Sequence, residues 1–249
     1  MPSPFLVIPC AFLVGVSYGV VGVGGAVLGT PVLALLGVPG ITAVATPLAP
    51  TIPAALGAGF TYRRRGEVDR HVAVLSITAA LPAVVVGALL SDVVGGTVLL
   101  IVSGVVLGVV GVRLIAVRTD TVGTEAAQEP RTATTVGWSA AAGLFTGLLA
   151  NGGTFVFIPL FVLVLRLGYR RSVGTSLVVA ATLSVPAVLT HALLGHVDWW
   201  LALWFGVGLI PGAWLGSHLA PRFRESSLQL VLGWLLLTFA VVFVAVRAA

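Results

Sequence analysis

The sequence has no lysine, one cysteine and one methionine, and only 8% of its 249 residues are charged. A soluble domain carries about 25% charged residues, so water is excluded as the solvent around this fold. The lone Cys10 excludes a disulfide or a thiolate metal cluster within the chain. With no lysine, and no arginine at the centre of an apolar stretch, no fixed cation lies deep in the fold to hold an anion. The opening MPSPFLVIPC has no charged residue ahead of its apolar run and is not expected to be a cleaved signal peptide.

What the chain does have is apolar length. Hydrophobic residues make up 58% of it, and the mean hydropathy is +1.13. Six stretches, 42–61, 71–91, 96–117, 173–191, 199–219 and 227–246, reach the roughly 20 residues that cross a bilayer as a helix. Four shorter ones lie at 5–21, 25–37, 137–150 and 154–165. The fold class is all-α, a polytopic membrane protein in the cytoplasmic membrane. The 13 arginines give a formal charge of +5. They stand in short loops, where they set topology and meet lipid headgroups, so membrane lipid is an expected partner and nucleic acid is not.

A polar segment, RTDTVGTEAAQEPRTATTV at 118–136, has no apolar periodicity and reads as a solvated cytoplasmic linker. It separates a first transmembrane repeat, 1–117, from a second, 137–249. At an offset of 129, Thr46 meets Thr175, Asp69 meets Asp198, Pro82 meets Pro211 and Gly87 meets Gly216. At 128, Gly24-Gly25 meets Gly152-Gly153 and Pro31 meets Pro159. The pair GEVD at 66–69 and GHVD at 195–198 makes an internal duplication the expected origin.

Equivalent loops have exchanged their charge. YRRRGEVDR at 62–70 carries four arginines and its mate HALLGHVDW none, whereas GVPGIT at 37–42 has none and its mate RLGYRRS has three. An inverted repeat predicts this exchange. Both 118–136 and 166–172 then face the cytoplasm, so 137–165 enters and leaves on one side. Its arms of 14 and 12 residues span only about 18–21 Å of a ~30 Å hydrocarbon core. Each half is expected to be a re-entrant broken-helix hairpin followed by three spanning helices, with tips at GVGG, 22–25, and NGG, 151–153.

Non-helical backbone is tolerated at membrane depth where it lines a cavity or is buried in protein. A half-helix starting after Gly25 or Gly153 offers unpaired N–H groups and about half a positive charge, and glycine lets a ligand approach closely. Two opposed tips predict an anion site near the midplane, around which the two repeats rock. A single Gly-Gly pair would more often serve close helix packing or a kink. Hydroxyls supply further donors: Thr46 and Thr51 on ATPLAPTIP, Thr175 and Ser176 on GTSLVVAATLSVP, and Thr154 beside the second tip. Each could instead bond back to its own helix. Asp69 and Asp198 precede apolar helices and are expected to be N-caps. No catalytic constellation, metal cluster or cofactor motif is present, so an enzyme is not expected.

The stretches GVGGAVLGTPVL, ATPLAPTIPAALG followed by YRRRGEVD, and GLLANGGTFVFIPLFVLVL with RRSVGTSL resemble the TauE/SafE family of sulfite exporters, from about Leu13 to Val244. The resemblance implies a secondary carrier for a small sulfur-containing anion, sulfite or an organosulfonate. It places that anion at Gly24, Gly25, Asn151, Gly152 and Gly153, with Thr46, Thr175 and Ser176 beside them. Asn151 has Val23 as its repeat mate, so the two tips are chemically unequal. A coupling proton and further copies of the chain are candidate partners. An anion channel of the same architecture and a non-transporting scaffold are the alternatives.

Overall fold

In the computed structural model, residues 2–94, 96–116, 132–149 and 153–248 are described. Eleven helices follow one another among them. The first half comprises α1 (Pro4–Val21), α2 (Gly25–Leu35), α3 (Gly40–Ala45), α4 (Leu48–Arg64), α5 (Arg70–Val94) and α6 (Gly96–Ala116). The second comprises α7 (Thr132–Leu149), α8 (Thr154–Pro159, continued as a π turn through Leu160–Val164), α9 (Tyr169–Leu193), α10 (Trp199–Leu219) and α11 (Glu225–Ala248). Among the described residues, five stretches are long and apolar enough to cross a membrane: Pro4–Val21, Gly40–Arg64, Arg70–Gly87, Tyr169–Leu193 and Trp199–Arg222. Their outward side chains, such as Val85, Leu203 and Trp214, are exposed, as lipid-facing residues must be.

Proline sets the local breaks. Pro47 stands between α3 and α4, so the 42–61 stretch is two helical pieces. Pro159 ends the α-helical part of α8. Beyond it the chain widens into the π turn, where Leu165 N–H reaches back to Leu160 O at 3.2 Å.

Two expectations are corrected. The first arms of the hairpins are not half-helices: α1 and α7 have 18 residues each, about 27 Å of helix. Only the returning arms are short, Gly25–Leu35 and Thr154–Val164. The 14-residue estimate for the second hairpin failed because Thr132–Val136, assigned to the linker for its threonines, forms the first turn of α7. The rest of that linker lies outside the described residues.

Glycine decides which helices pair. A Cβ on Gly208, Gly212 or Gly216 would collide with the carbonyl oxygens of Ile8, Phe12 and Val16, so α10 lies backbone to backbone along α1. A Cβ on Gly87 would likewise collide with Leu144 O, and Gly143 faces Ala80, which joins α5 to α7. Stripes of small residues pack helices this closely in membranes. The pairs Val16–Gly216 and Leu144–Gly87 exchange under the repeat offsets, so each half's first arm is gripped by a long helix of the other. Helices α6 and α11 pair through Gly111 and Gly233.

The arginine-bearing loops 62–70, 166–172 and 221–226 touch one another. Arg171 Nη2 lies 3.0 Å from Asp69 Oδ2, Arg65 Nη1 donates to Ser217 O at 2.6 Å, and Arg170 Nη2 donates to Phe223 O at 2.8 Å. The last carbonyls of α1, which have no acceptor role inside the helix, are taken up by tyrosines. Tyr62 Oη donates to Gly19 O at 2.9 Å and Tyr169 Oη to Val21 O at 2.8 Å.

Candidate functional site

Two of the expected hydroxyls do not join the glycine tips. Thr175 Oγ1 accepts the N–H of Asp69 at 3.0 Å, and Thr46 Oγ1 accepts that of Asp198 at 3.2 Å. These are repeat mates bonded crosswise, each tying one half to the other at a helix start. The aspartates are the N-caps the sequence predicts: Asp69 Oδ1 accepts from Val72 N–H and Asp198 Oδ1 from Leu201 N–H, both at 3.0 Å. Each follows a turn through a left-handed glycine, Gly66 at φ 74° and Gly195 at φ 71°, a conformation that costs glycine alone no Cβ strain. The Ser176 hydroxyl donates to Val173 O of its own helix at 2.9 Å.

Five of the expected residues do come together. Gly24 caps α2 with no side-chain bond, and a Cβ on it would lie 2.7 Å from Thr154 Oγ1. The two hairpin tips are therefore in contact. On one side, a Cβ on Gly25 would stand 2.9 Å from Thr51 Oγ1 and 3.2 Å from the methyls of Leu209, midway along α10. On the other, Gly153 caps α8 at φ 76°, and a Cβ there would stand 3.2 Å from Thr146 Oγ1. Gly24, Gly25, Thr51, Gly153 and Thr154 thus pack closely together where the backbone notches of the two hairpins meet, with Thr146 at the edge. Asn151 and Gly152 lie outside the described residues.

The chemistry of the notch is that of neutral donors. The first N–H groups of α2 and α8 have no carbonyl one turn back, and both helix starts carry partial positive charge. Thr51 donates its proton to Pro47 O at 2.7 Å, bonding back to its own helix. Thr154 and Thr146 differ: they are 1% and 3% exposed, and neither hydroxyl has a hydrogen-bond partner among the described residues. A buried polar group left unpaired costs about 1–3 kcal/mol. These two are free to donate to a ligand at the tips.

Sequence reasoning missed Thr146 and a second residue, Tyr18. Extending the 128 offset back from the glycine pairs aligns YGVVGVGG with TGLLANGG and makes Tyr18 the mate of Thr146. Tyr18 is wholly buried and its hydroxyl is also unpartnered. A polar residue at the same place in both halves, inside apolar helix, was the available signal.

Glu67, in the turn after α4, is the titratable group of note outside the spans. Burial raises its pKa, Arg170 and Arg65 oppose that rise, and Glu225 adds to it; its Oε2 is buried without a hydrogen-bond partner.

Comparison with known proteins agrees with a transport architecture. The sequence profile of the family described as "Sulfite exporter TauE/SafE" matches residues 7–243. A "Probable membrane transporter protein" of Xylella fastidiosa (strain 9a5c) is 28% identical over 239 residues, 92% of this chain and 90% of its own. The "Probable membrane transporter protein YjnA" of Bacillus subtilis (strain 168) is 28% identical over 247 residues, 93% of this chain and 96% of its own. The "Probable membrane transporter protein YdhB" of the same strain is 27% identical over 225 residues, 87% of this chain and 91% of its own. No solved structure matches the chain. A profile match of that extent makes this chain a member of the TauE/SafE family, a multi-pass membrane transporter and not an enzyme.

Proposed function

We infer that the chain carries a small sulfur oxyanion, sulfite or an organosulfonate, across the cytoplasmic membrane, binding it where the α2 and α8 N-termini meet. The observation that carries this reading is the pair of buried hydroxyls, Thr146 beside Gly153 and Thr154 beside Gly24, neither with a hydrogen-bond partner among the described residues. Opposed helix starts and neutral hydroxyls hold an oxyanion without a fixed counter-charge, which favours release as much as capture. The substrate class follows the family's description.

Alternating access is the mechanism proposed. The crossed contacts Thr46–Asp198 and Thr175–Asp69 support an inverted relation between the halves. They set the start of α9 beside the end of α4, its repeat mate. With the arginine loops inside the cell, one notch between two opposed hairpins is exposed first to one face and then to the other.

The test is flux of labelled sulfite or a small sulfonate into proteoliposomes, with and without a pH gradient. A hydrogen bond to a charged group is worth about 1.5–3 kcal/mol, about ten- to a hundredfold in affinity. Thr154→Val is therefore expected to raise the apparent KM by about that factor, while Thr154→Ser stays near wild type. Unchanged flux in folded Thr154→Val would remove the notch as the site. Flux that neither saturates nor shows counterflow would make the protein a channel.

A further inference from the structure

At the end of α9 away from the arginine loops, two histidines face each other. His191 lies in the last turn of α9 and His196 in the turn leading to Asp198. Their Nδ1 atoms are 3.3 Å apart. The backbone fixes this approach: His196 N–H bonds to His191 O at 3.0 Å, and Gly195 takes φ 71° to close the turn. Both rings are half-buried beside exposed Leu194 and Gly195, so an ion in water can reach them.

A separation of 3.3 Å lets one ring's Nδ1–H bond to the other's Nδ1 when a single proton sits between them. It matches the edge of a coordination tetrahedron, because Zn–N bonds of about 2.0–2.1 Å at the tetrahedral angle set two nitrogens about 3.3–3.4 Å apart. A right-angle arrangement at the same bond lengths would need about 2.9 Å. Imidazole is a ligand suited to Zn2+ and Cu2+. Among the described residues no third His, Cys, Asp or Glu joins the pair, so the remaining positions would be filled by water. The repeat mates of these residues are Tyr62 and Glu67, so the other half does not duplicate the pair of rings.

We propose that His191 and His196 form a two-imidazole site for a divalent ion that takes tetrahedral geometry, Zn2+ foremost, for which Cu2+ serves as a spectroscopic probe. The ion bridges the last turn of α9 to the turn into α10. That turn also carries the Asp198 N–H that holds Thr46 of the other half, so an occupied site stiffens a joint between the halves.

The experiment uses the full chain in detergent, stripped of metal by a chelator. Cu2+ is followed by electron paramagnetic resonance, and Zn2+ by competition with a chromophoric chelator. The expected result is one ion with two nitrogen ligands. Loss of a ligand should cost at least the roughly ten- to hundredfold that loss of an outer-sphere partner costs, so His191→Gln and His196→Gln should each weaken binding by about tenfold or more. His218→Gln should leave it unchanged, since that ring is engaged with Trp214 O at 2.8 Å. If both glutamine variants bind Cu2+ as the wild type does, the site does not exist. Should the variants fail to fold, the unaltered chain decides: Zn2+ must protect both rings from diethyl pyrocarbonate, read by mass spectrometry, and absence of protection overturns the proposal.

Discussion

The two joints between the halves are built from the same turn and differ in what surrounds it. At both, a G-x-V-D segment gives its aspartate N–H to a threonine of the opposite half, at 3.0 Å for Thr175 and 3.2 Å for Thr46. At the first, Arg171 adds an ion pair to Asp69, and Arg65 and Arg170 reach the carbonyls of Ser217 and Phe223. At the second, the residues before Asp198 are His196 and Val197, and those after it are Trp199 and Trp200. The backbone bond is the same at both, and the side chains around it differ. One edge is tied by charge as well as by hydroxyl, whereas the other joint rests on the threonine hydroxyl.

The comparison can be broken most directly at the aspartates. Removing an N-cap costs about 1 kcal/mol. Asp69→Ala also strands the half-exposed Arg171, so it should cost about 2 kcal/mol where Asp198→Ala costs about 1. Thermal unfolding of both variants in detergent checks this, and equal losses would mean that the ion pair adds nothing. Thr175→Val and Thr46→Val come next. Each leaves an aspartate N–H without its acceptor, at about 1 kcal/mol, and the two losses should be alike because neither variant removes a charge.

Smaller effects sharpen the contrast. Arg171→Gln should cost less than about 1 kcal/mol, and the loss should shrink as salt screens the wild-type pair; a salt-independent loss would point to packing instead. Glu67→Gln should give the smallest change, and a stabilising one. A carboxyl whose folded pKa is raised contributes its stability below the ordinary glutamate range and loses it as pH rises through the folded value. The glutamine variant should therefore melt above wild type near neutral pH and level with it in acid. A gap that persists in acid would remove protonation as the cause.

Much of this was legible from residues. Low charge and long apolar runs specified the class, the G-x-V-D pair marked two turns of the same build, and the caps at Asp69 and Asp198 follow from an acidic residue standing just before an apolar helix. Thr46 and Thr175 were rightly matched as equivalents, yet their partners lie 152 and 106 residues away in the chain. A bond of that kind leaves no local trace, so both hydroxyls were assigned to the notch. The first arms were read as too short because threonine-rich sequence at 132–136 looks like linker and folds as helix. Thr146 and Tyr18 were hidden by their apolar surroundings, where one hydroxyl per turn does not disturb the hydropathy pattern.

Glycine along α10 and α5 leaves no layer of side chains in which α1 or α7 could slide past its partner. Any motion that opens the protein must then carry α1 together with α10, and α7 together with α5. Each moving block joins a helix of one half to a helix of the other, so the seam of movement crosses the boundary between the halves. Cysteines joining α1 to α10 should leave transport running, and cysteines joining α4 to α9 should arrest it.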